Sequence, residues 1–420
     1  MILNKKIISN SIWMMSEKII SIFGLIFVTS FVAKYVGPTI FGDIALAMSI
    51  FQLVQIISQL GSDVLIFKRI SRKVSSGVNL INVTLPLRVS IYLLFSLPVL
   101  LYSFIYNHHS GFYYVLAAFI ACLLQALDVY AIYYDALLKS KVNTLINIVG
   151  LIISLLVRWL IAFFELNPLW LVVPIILAAL IPFSIRYIVY MTNNASTKIS
   201  PKYQKKYKIY LLKAGSTFVL SSVSVAIYTR LSLFILGFFY SSSAVGLFSV
   251  ASTLATSWAF ILNSIIVSTL PSIFSENNKE HALKQTAKLN IIVILISVPI
   301  VLGVYLLGGY FIDFFYGAKY HDAVEPLRIL CISTVIAALG TVSARFIAKY
   351  SGYLYLSKKM LSVAIASLFL NLLCVYFGGV KGAAFATLTT EFISLTLFNY
   401  FFKNGLVLKL HKDTCLLKLR

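Results

Sequence analysis

Acidic residues are scarce in this chain, which carries 13 Asp and Glu against 35 Lys and Arg in 420 residues. Charge of either sign is scarce too, at 11% of residues where soluble domains hold about 25%, which excludes an ordinary solvated protein. The four cysteines, Cys122, Cys331, Cys374 and Cys415, are scattered without a CxxC pair, so neither a disulfide framework nor a thiolate metal site is indicated. Also missing are a GxxxxGK[ST] phosphate loop, a GxGxxG turn, HExxH and GxSxG. Their absence argues against ATP hydrolysis and common hydrolase chemistry on this chain, and no catalytic residue, metal site or cofactor is assigned. The adjacent His108 and His109 lack a nearby carboxylate or thiol and read as a polar loop.

What the chain has instead is apolar sequence, 60% of residues, in runs of around 20 that each suffice to cross a ~30 Å hydrocarbon core as a helix. The runs predict about twelve spans: roughly 9–33, 44–66, 80–106, 112–136, 143–165, 169–191, 214–240, 245–272, 289–311, 327–348, 360–378 and 382–402. The first is too long for a signal peptide and no A-x-A site follows it, so it reads as an uncleaved helix. The fold class is an all-α integral membrane protein.

The net charge of +22 would suggest nucleic acid in a soluble chain, but the distribution of base decides against it. One set of alternate loops holds Lys68, Arg69, Arg72 and Lys73, then Lys198 to Lys213, Lys279 to Lys288, Lys349, Lys358 and Lys359, and the C-terminal lysines with Arg420. The other set holds only Lys34, Lys319 and Lys381. An imbalance of about eight to one places both termini in the cytoplasm.

The longest polar interruption, residues 192–215, divides the chain into lobes 1–200 and 201–420, with six spans each and a basic linker near 192–213. The halves are weakly self-similar, as in transporters built from repeats. KYVGPTIFGDIALAMS parallels FFYSSSAVGLFSVAST, with Gly42 opposite Gly246, and LLKSKVNTLINIVGLIISLL parallels YLSKKMLSVAIASLFLNLLC. Outer loops are short, so function lies within the bilayer or in cavities opening from it.

Charged residues inside spans are costly in lipid and mark a polar pathway, an ion pair or a water-filled cavity. The set is Glu17 and Lys18 in the first span, Asp63 in the second, Arg88 in the third, Asp128 in the fourth, Arg158 in the fifth, Arg230 in the seventh and Glu391 in the twelfth. Asp63 and Arg158 lie within about two turns of a span end, from where long side chains reach the interface, and Arg186, Arg328, Arg345 and Asp43 lie nearer still. The deeper groups either neutralise one another or line a cavity whose spare positive charge suits an anion, Arg holding phosphate oxygens bidentately and Lys acting as a point charge. Tyr and Phe clusters such as 112–114 and 129–134 read mainly as interface belts, with a few able to stack on sugars.

KYVGPTIFGD after the first span, SSSAVGLFSVA after the seventh, FFYGAKYHDAVEPLRIL before the tenth and VKGAAFATLTTE entering the twelfth resemble the bacterial O-antigen flippases, the Wzx proteins of the multidrug/oligosaccharidyl-lipid/polysaccharide exporter superfamily. The resemblance covers essentially the whole chain. It implies a V-shaped pair of six-helix lobes working by alternating access. The implied substrate is an oligosaccharide on undecaprenyl pyrophosphate, moved from the cytoplasmic to the periplasmic leaflet of the inner membrane. It also implies a proton or sodium gradient as energy source, and the polymerase and chain-length regulator of the same pathway as partners. Placed by span depth, Lys18, Arg88 and Arg230 are candidates for pyrophosphate contact with Arg158 next, and Glu17, Asp128, Glu391 and Asp63 are candidates for ion coupling. A drug/cation antiporter of the same superfamily would favour a net acidic cavity. An O-antigen polymerase or ligase would carry a large periplasmic loop, which is lacking here.

Overall fold

The computed structural model describes residues 5–106, 109–193 and 201–416, with no strand among them. His108, Lys198 and Arg420 lie outside the described residues. Hydrocarbon offers no partner for a backbone N–H or C=O, and a helix satisfies both within one segment. Among the described residues, ten helical stretches are long and apolar enough to cross a membrane. Two of them, Ser16–Gln59 with 44 residues and Tyr353–Tyr400 with 48, are about twice the length one crossing needs. Each is broken by one glycine in a non-helical conformation, Gly37 (φ 76°, ψ 172°) and Gly379 (φ 52°, ψ −130°), where positive φ costs glycine little. Ten stretches and two breaks give the twelve crossings expected from hydropathy.

The chain divides into two compact units, Met1–Val36 with Asp43–Ala226, and Gly37–Gly42 with Ile227–Arg420. The last boundary, after Ala226, falls 26 residues beyond the expected 200. The described part of the expected linker is helical and packs on the first unit, where Arg69 stacks on Tyr207 and Tyr210 and the Ser76 hydroxyl bonds that of Tyr207 at 3.2 Å.

The first unit contains α1 (Lys5–Gly24), most of α2 (Ser30–Gln59), α3 (Ser62–Arg72), α4 (Val74–Tyr106), α5 (His109–Leu127), α6 (Tyr130–Ala136), α7 (Ser140–Phe163), α8 (Val172–Asn193) and the start of α9 (Pro201–Phe239). Small residues let backbones approach where lipid offers no hydrophobic drive. Ala117 and Ala121 of α5 are buried against Ile175 and Ala179 of α8, and Gly150 of α7 lies against Pro182. Two expected spans differ in detail. The second ends at Gln59, because Leu60 and Gly61 are both left-handed, and α3 follows as a short amphipathic helix burying Leu65, Ile66 and Ile70. The fourth is interrupted at Asp128 and Val129, between α5 and α6. Tyr130, Tyr133, Tyr134 and Tyr190 form a buried core cluster rather than an interface belt or a sugar platform.

The second unit contains the end of α9, then α10 (Ser242–Ser257), α11 (Ala259–Ser275), α12 (Lys279–Phe315), α13 (Val324–Lys349), α14 (Tyr353–Leu395), α15 (Leu397–Tyr400) and α16 (Leu406–Cys415). Residues 37–42 lie against the start of α10. A Cβ on Gly42 would fall 1.7 Å from the Ser242 carbonyl oxygen, and one on Gly246 would fall 2.1 Å from that of Pro38. The two glycines aligned by the sequence repeat therefore meet one another. α14 is a hairpin bent at Gly379, and Ser232 of α9 bridges its arms, donating to Asn371 Oδ1 at 2.6 Å and lying 3.2 Å from the Thr387 hydroxyl. The terminal α16 is amphipathic and packs Leu406, Val407 and Leu410 on Leu283, Ala287, Phe346 and Ile347.

Candidate functional site

The first unit holds two linked sets of intramembrane charge. Arg88, 1% exposed, is pinned by an ion pair to Asp63, by the Ser62 hydroxyl, and by donation from Nη1 to the Ala126 carbonyl at 2.6 Å. Asp63 is thus not a free carboxylate within a span. It sits in the first turn of α3, where a carboxylate is favoured by the helix dipole, and is held by α4. The second set is a relay. Arg186 of α8 pairs with Asp128 and donates to Asn147 Oδ1, while Asn147 Nδ2 of α7 donates to Glu17 of α1 at 2.9 Å. Arg88 and Asp128 also interact electrostatically, so the two sets share one field.

Lys18 and Arg158 stand apart from both. Adjacent helical residues point about 100° apart, and while Glu17 turns to Asn147, Lys18 is exposed and makes no hydrogen bond or ion pair with a described residue. Arg158 is half-buried on α7 and likewise bonds to no described residue. It follows Asn147 and Ser154 at helical spacing on one face of α7, and α1 packs on α7. Of the acids considered by span depth, Glu17, Asp63 and Asp128 are therefore engaged by Asn147, Arg88 and Arg186, while two cations on packed helices have no described bonding partner.

The second unit holds a partly open cavity of about 300 Å³. Its walls are Tyr228 and Thr229 of α9, Ser252 and Thr256 of α10, Asn263 of α11, Ser333, Thr334 and Thr341 of α13, and Ser367, Thr387, Thr390 and Glu391 of α14. Hydroxyl-bearing residues are the commonest in the lining, Ala259, Leu330, Ala337 and Ala338 add apolar surface between them, and Glu391 is the one charged residue among those that line it. It makes no hydrogen bond or ion pair with a described residue, but it interacts electrostatically with Lys359. Arg230, next to the wall residue Thr229, is half-buried and engaged by neighbouring groups.

Three residues of these arrangements escaped the sequence reading: Asn147, Arg186 and Lys359. By sequence Lys359 falls among the loop lysines, yet it is 5% exposed. Helical spacing carried the signal, because Lys359, Val363, Ser367, Asn371 and Val375 follow one another at intervals of four and are all buried. Ala179, Arg186 and Tyr190 likewise share the buried face of α8. Among the described residues no group of His, Cys, Asp and Glu could hold a metal.

A family profile described as polysaccharide biosynthesis protein matches residues 31–325, most of the chain. The chain belongs to that family. No curated protein matches this polysaccharide biosynthesis protein in sequence. Among solved structures it is similar to an inward-facing multidrug resistance MATE transporter of the MOP superfamily, at TM-score 0.70 and 13% identity over 98% of this chain and 100% of the other. It is similar to the lipid II flippase MurJ in an inward closed conformation at 0.66 and 15%, over 97% and 91%. A MOP-superfamily transporter from Pyrococcus furiosus, described as having a binding pocket of reversed polarity, matches at 0.55 and 12%, over 97% and 92%. At such identities the likeness shows the fold alone, an all-helical one shared with these proteins.

Proposed function

We propose that this polysaccharide biosynthesis protein is a flippase. Its substrate is an O-antigen or related repeat unit on undecaprenyl pyrophosphate, carried from the cytoplasmic to the periplasmic leaflet of the inner membrane by ion-coupled alternating access. The observation that carries this reading is the pair Lys18 and Arg158, intramembrane cations on packed helices with no described bonding partner. A cation held in a membrane without a protein partner suits an anionic ligand, to which Lys18 would offer a point charge and Arg158 a bidentate contact. With Glu17 beside Asn147 and Gly24 beside Leu155, the two cations lie at different levels of the helix pair and would serve different parts of the ligand or different steps of its passage. Arg230 is the further candidate. Arg88, ranked with Lys18 by depth alone, has both terminal nitrogens committed to Asp63, Ser62 and Ala126, which favours a positioning role.

Of the four carboxylates considered for coupling, Glu17, Asp63 and Asp128 are bonded to Asn147, Arg88 and Arg186. Glu391, with no direct partner and facing a hydroxyl-lined cavity, is best placed to exchange an ion. That carboxylate is also what a drug/cation antiporter would use. The spare base of the first unit favours the anionic substrate instead. The strong bias of Lys and Arg between loops supports cytoplasmic termini, and the polymerase and chain-length regulator would receive the flipped product.

Charge-assisted contacts to phosphate are worth about 1.5–3 kcal/mol, so Lys18→Ala or Arg158→Ala should lower flipping by roughly 10- to 100-fold at unchanged protein level. The measurement is surface polysaccharide in a flippase-null strain alongside immunoblotted membranes. Full polysaccharide in both variants rejects the assignment.

A further inference from the structure

Lys359 is a buried lysine that the proposed translocation does not use. The arms of α14 meet at Gly379, and Ser232 bonds Asn371 and Thr387, which lie eight residues to either side of the bend. By the same count Ser367 is level with Glu391, and both line the cavity. Lys359 lies about two turns further along its arm, on the same buried face as Ser367, with a four-carbon stem to span part of that distance. Its ammonium forms no hydrogen bond and no ion pair with a described residue, and its electrostatic partner is Glu391. A buried lysine and a half-buried carboxylate thus lie in one unit, coupled through space and not in contact.

The other groups facing Glu391 carry no charge to compensate it. From α9 comes the Tyr228 phenol, from α10, α11 and α13 come hydroxyls and the Asn263 amide, and α14 itself adds Ser367, Thr387 and Thr390. Hard oxygens around a carboxylate would suit a sodium ion by donor type. The ammonium changes that balance. With Lys359 charged, the Glu391 carboxylate is already neutralised, and a bound sodium would leave a net positive charge in a buried site, which low dielectric penalises.

We propose that Lys359 is a tethered counter-ion that takes the place of a bound monovalent cation for Glu391, so that this cavity exchanges protons with solvent and takes no sodium. The proposal rests on the reading of Glu391 as the coupling carboxylate. Removing the ammonium while keeping the carboxylate and the hydroxyls should convert the cavity into a sodium site.

The test uses the full-length protein in detergent, with thermal unfolding in sodium, potassium or choline chloride at matched ionic strength, and with radioactive sodium binding. Wild type should unfold at one temperature in all three salts. Lys359→Met should gain a sodium-specific upward shift and at least about tenfold more bound sodium, and Lys359→Met/Glu391→Gln should lose both. Should Lys359→Met not fold, the double variant should restore folding, since it removes both members of the pair. Three results overturn the proposal: a wild type stabilised by sodium through Glu391, a folded Lys359→Met blind to sodium, or a double variant as impaired as the single. None of these readings needs transport. If Glu391→Gln supports normal surface polysaccharide, the coupling role falls while the charge pairing tested here stands.

Discussion

Asp128 and Arg186, 58 residues apart in sequence, form a direct ion pair in the first unit, and through Asn147 that pair reaches Glu17 on the first helix. Both side chains are largely buried, at 4% exposure for Arg186 and 13% for Asp128. Removing one member of a buried pair leaves an uncompensated charge and costs about 3–5 kcal/mol, whereas replacing both with apolar residues is often close to neutral. Asp128→Leu and Arg186→Met should therefore each destabilise the purified protein strongly. The double variant should recover much of the loss in thermal unfolding, and a neutral single variant would remove the pair from the account of stability.

Arg88 should part company with Lys18 and Arg158 when all three are changed to alanine. Its guanidinium ties α4 to α3 and to the Ala126 carbonyl, so Arg88→Ala leaves Asp63, Ser62 and that carbonyl without their partner. Loss of a buried hydrogen-bonded charge costs several kcal/mol, on the order of the protein's whole stability. The expected result is less folded Arg88→Ala protein in the membrane, with polysaccharide falling in proportion. Activity per folded molecule that drops as far as in Lys18→Ala would return Arg88 to the substrate contacts.

Glycines at close approach should be unforgiving where others are not. Gly42→Ala places its Cβ against the Ser242 carbonyl, and Gly246→Ala against that of Pro38, and neither backbone group can rotate aside. Overpacking of this kind costs about 1–3 kcal/mol or more. Gly303→Ala in α12, where a Cβ meets nothing within 4 Å, is the matched control and should change stability by less than about 1 kcal/mol. Thermal unfolding of the three variants in one detergent reads the contrast.

His411, on a helix outside the candidate membrane spans, gives a pH dependence. It lies on α16 with its ring nitrogens 3.1 Å from the Ser343 hydroxyl and 3.1 Å from that of Tyr400, and burial pushes its pKa down to about 4. An unfolded histidine titrates near 6.5, so between about 6.5 and 4 the unfolded chain binds the extra proton. Stability from this group is complete above pH 6.5 and is lost progressively as pH falls to about 4, by up to roughly 3 kcal/mol. His411→Gln should flatten that segment of the curve of unfolding temperature against pH. An unchanged slope would mean that other groups carry it.

Cysteine labelling tests orientation. Cys415 is exposed at the end of α16 while Cys122 and Cys331 are buried. A membrane-impermeant maleimide should label Cys415 in inside-out vesicles and not in intact spheroplasts, and the reverse pattern would place the C-terminus outside.

Hydropathy made the twelve crossings legible, because a bilayer sets a minimum length for each apolar run and the alternation of lysine checks the count. It did not show where a span bends. Leu60 with Gly61, and Asp128 with Val129, interrupt runs whose hydropathy is continuous, so Asp63 and Asp128 were placed within helices that end beside them. Pairing was illegible for a different reason. Depth ranks a charge by its distance from a span end, whereas Arg186 and Lys359 lie near ends and are buried by the helices packed over them. The period of four in α14 held that information, but only once lysine is admitted to a core face. The aromatic cluster at 129–134 was misread because tyrosine suits both a membrane interface and a core.

The meeting of Gly42 with Gly246 bears on how such a chain can drift. Both positions already carry the smallest side chain there is, so enlargement at one cannot be compensated by reduction at the other. If the halves descend from one six-helix ancestor, a single ancestral residue now abuts its own copy, and duplication turned one constraint into two that no second mutation can relieve. A collection of homologues should then show glycine at both places or a rebuilt junction, and no trading of volume between them.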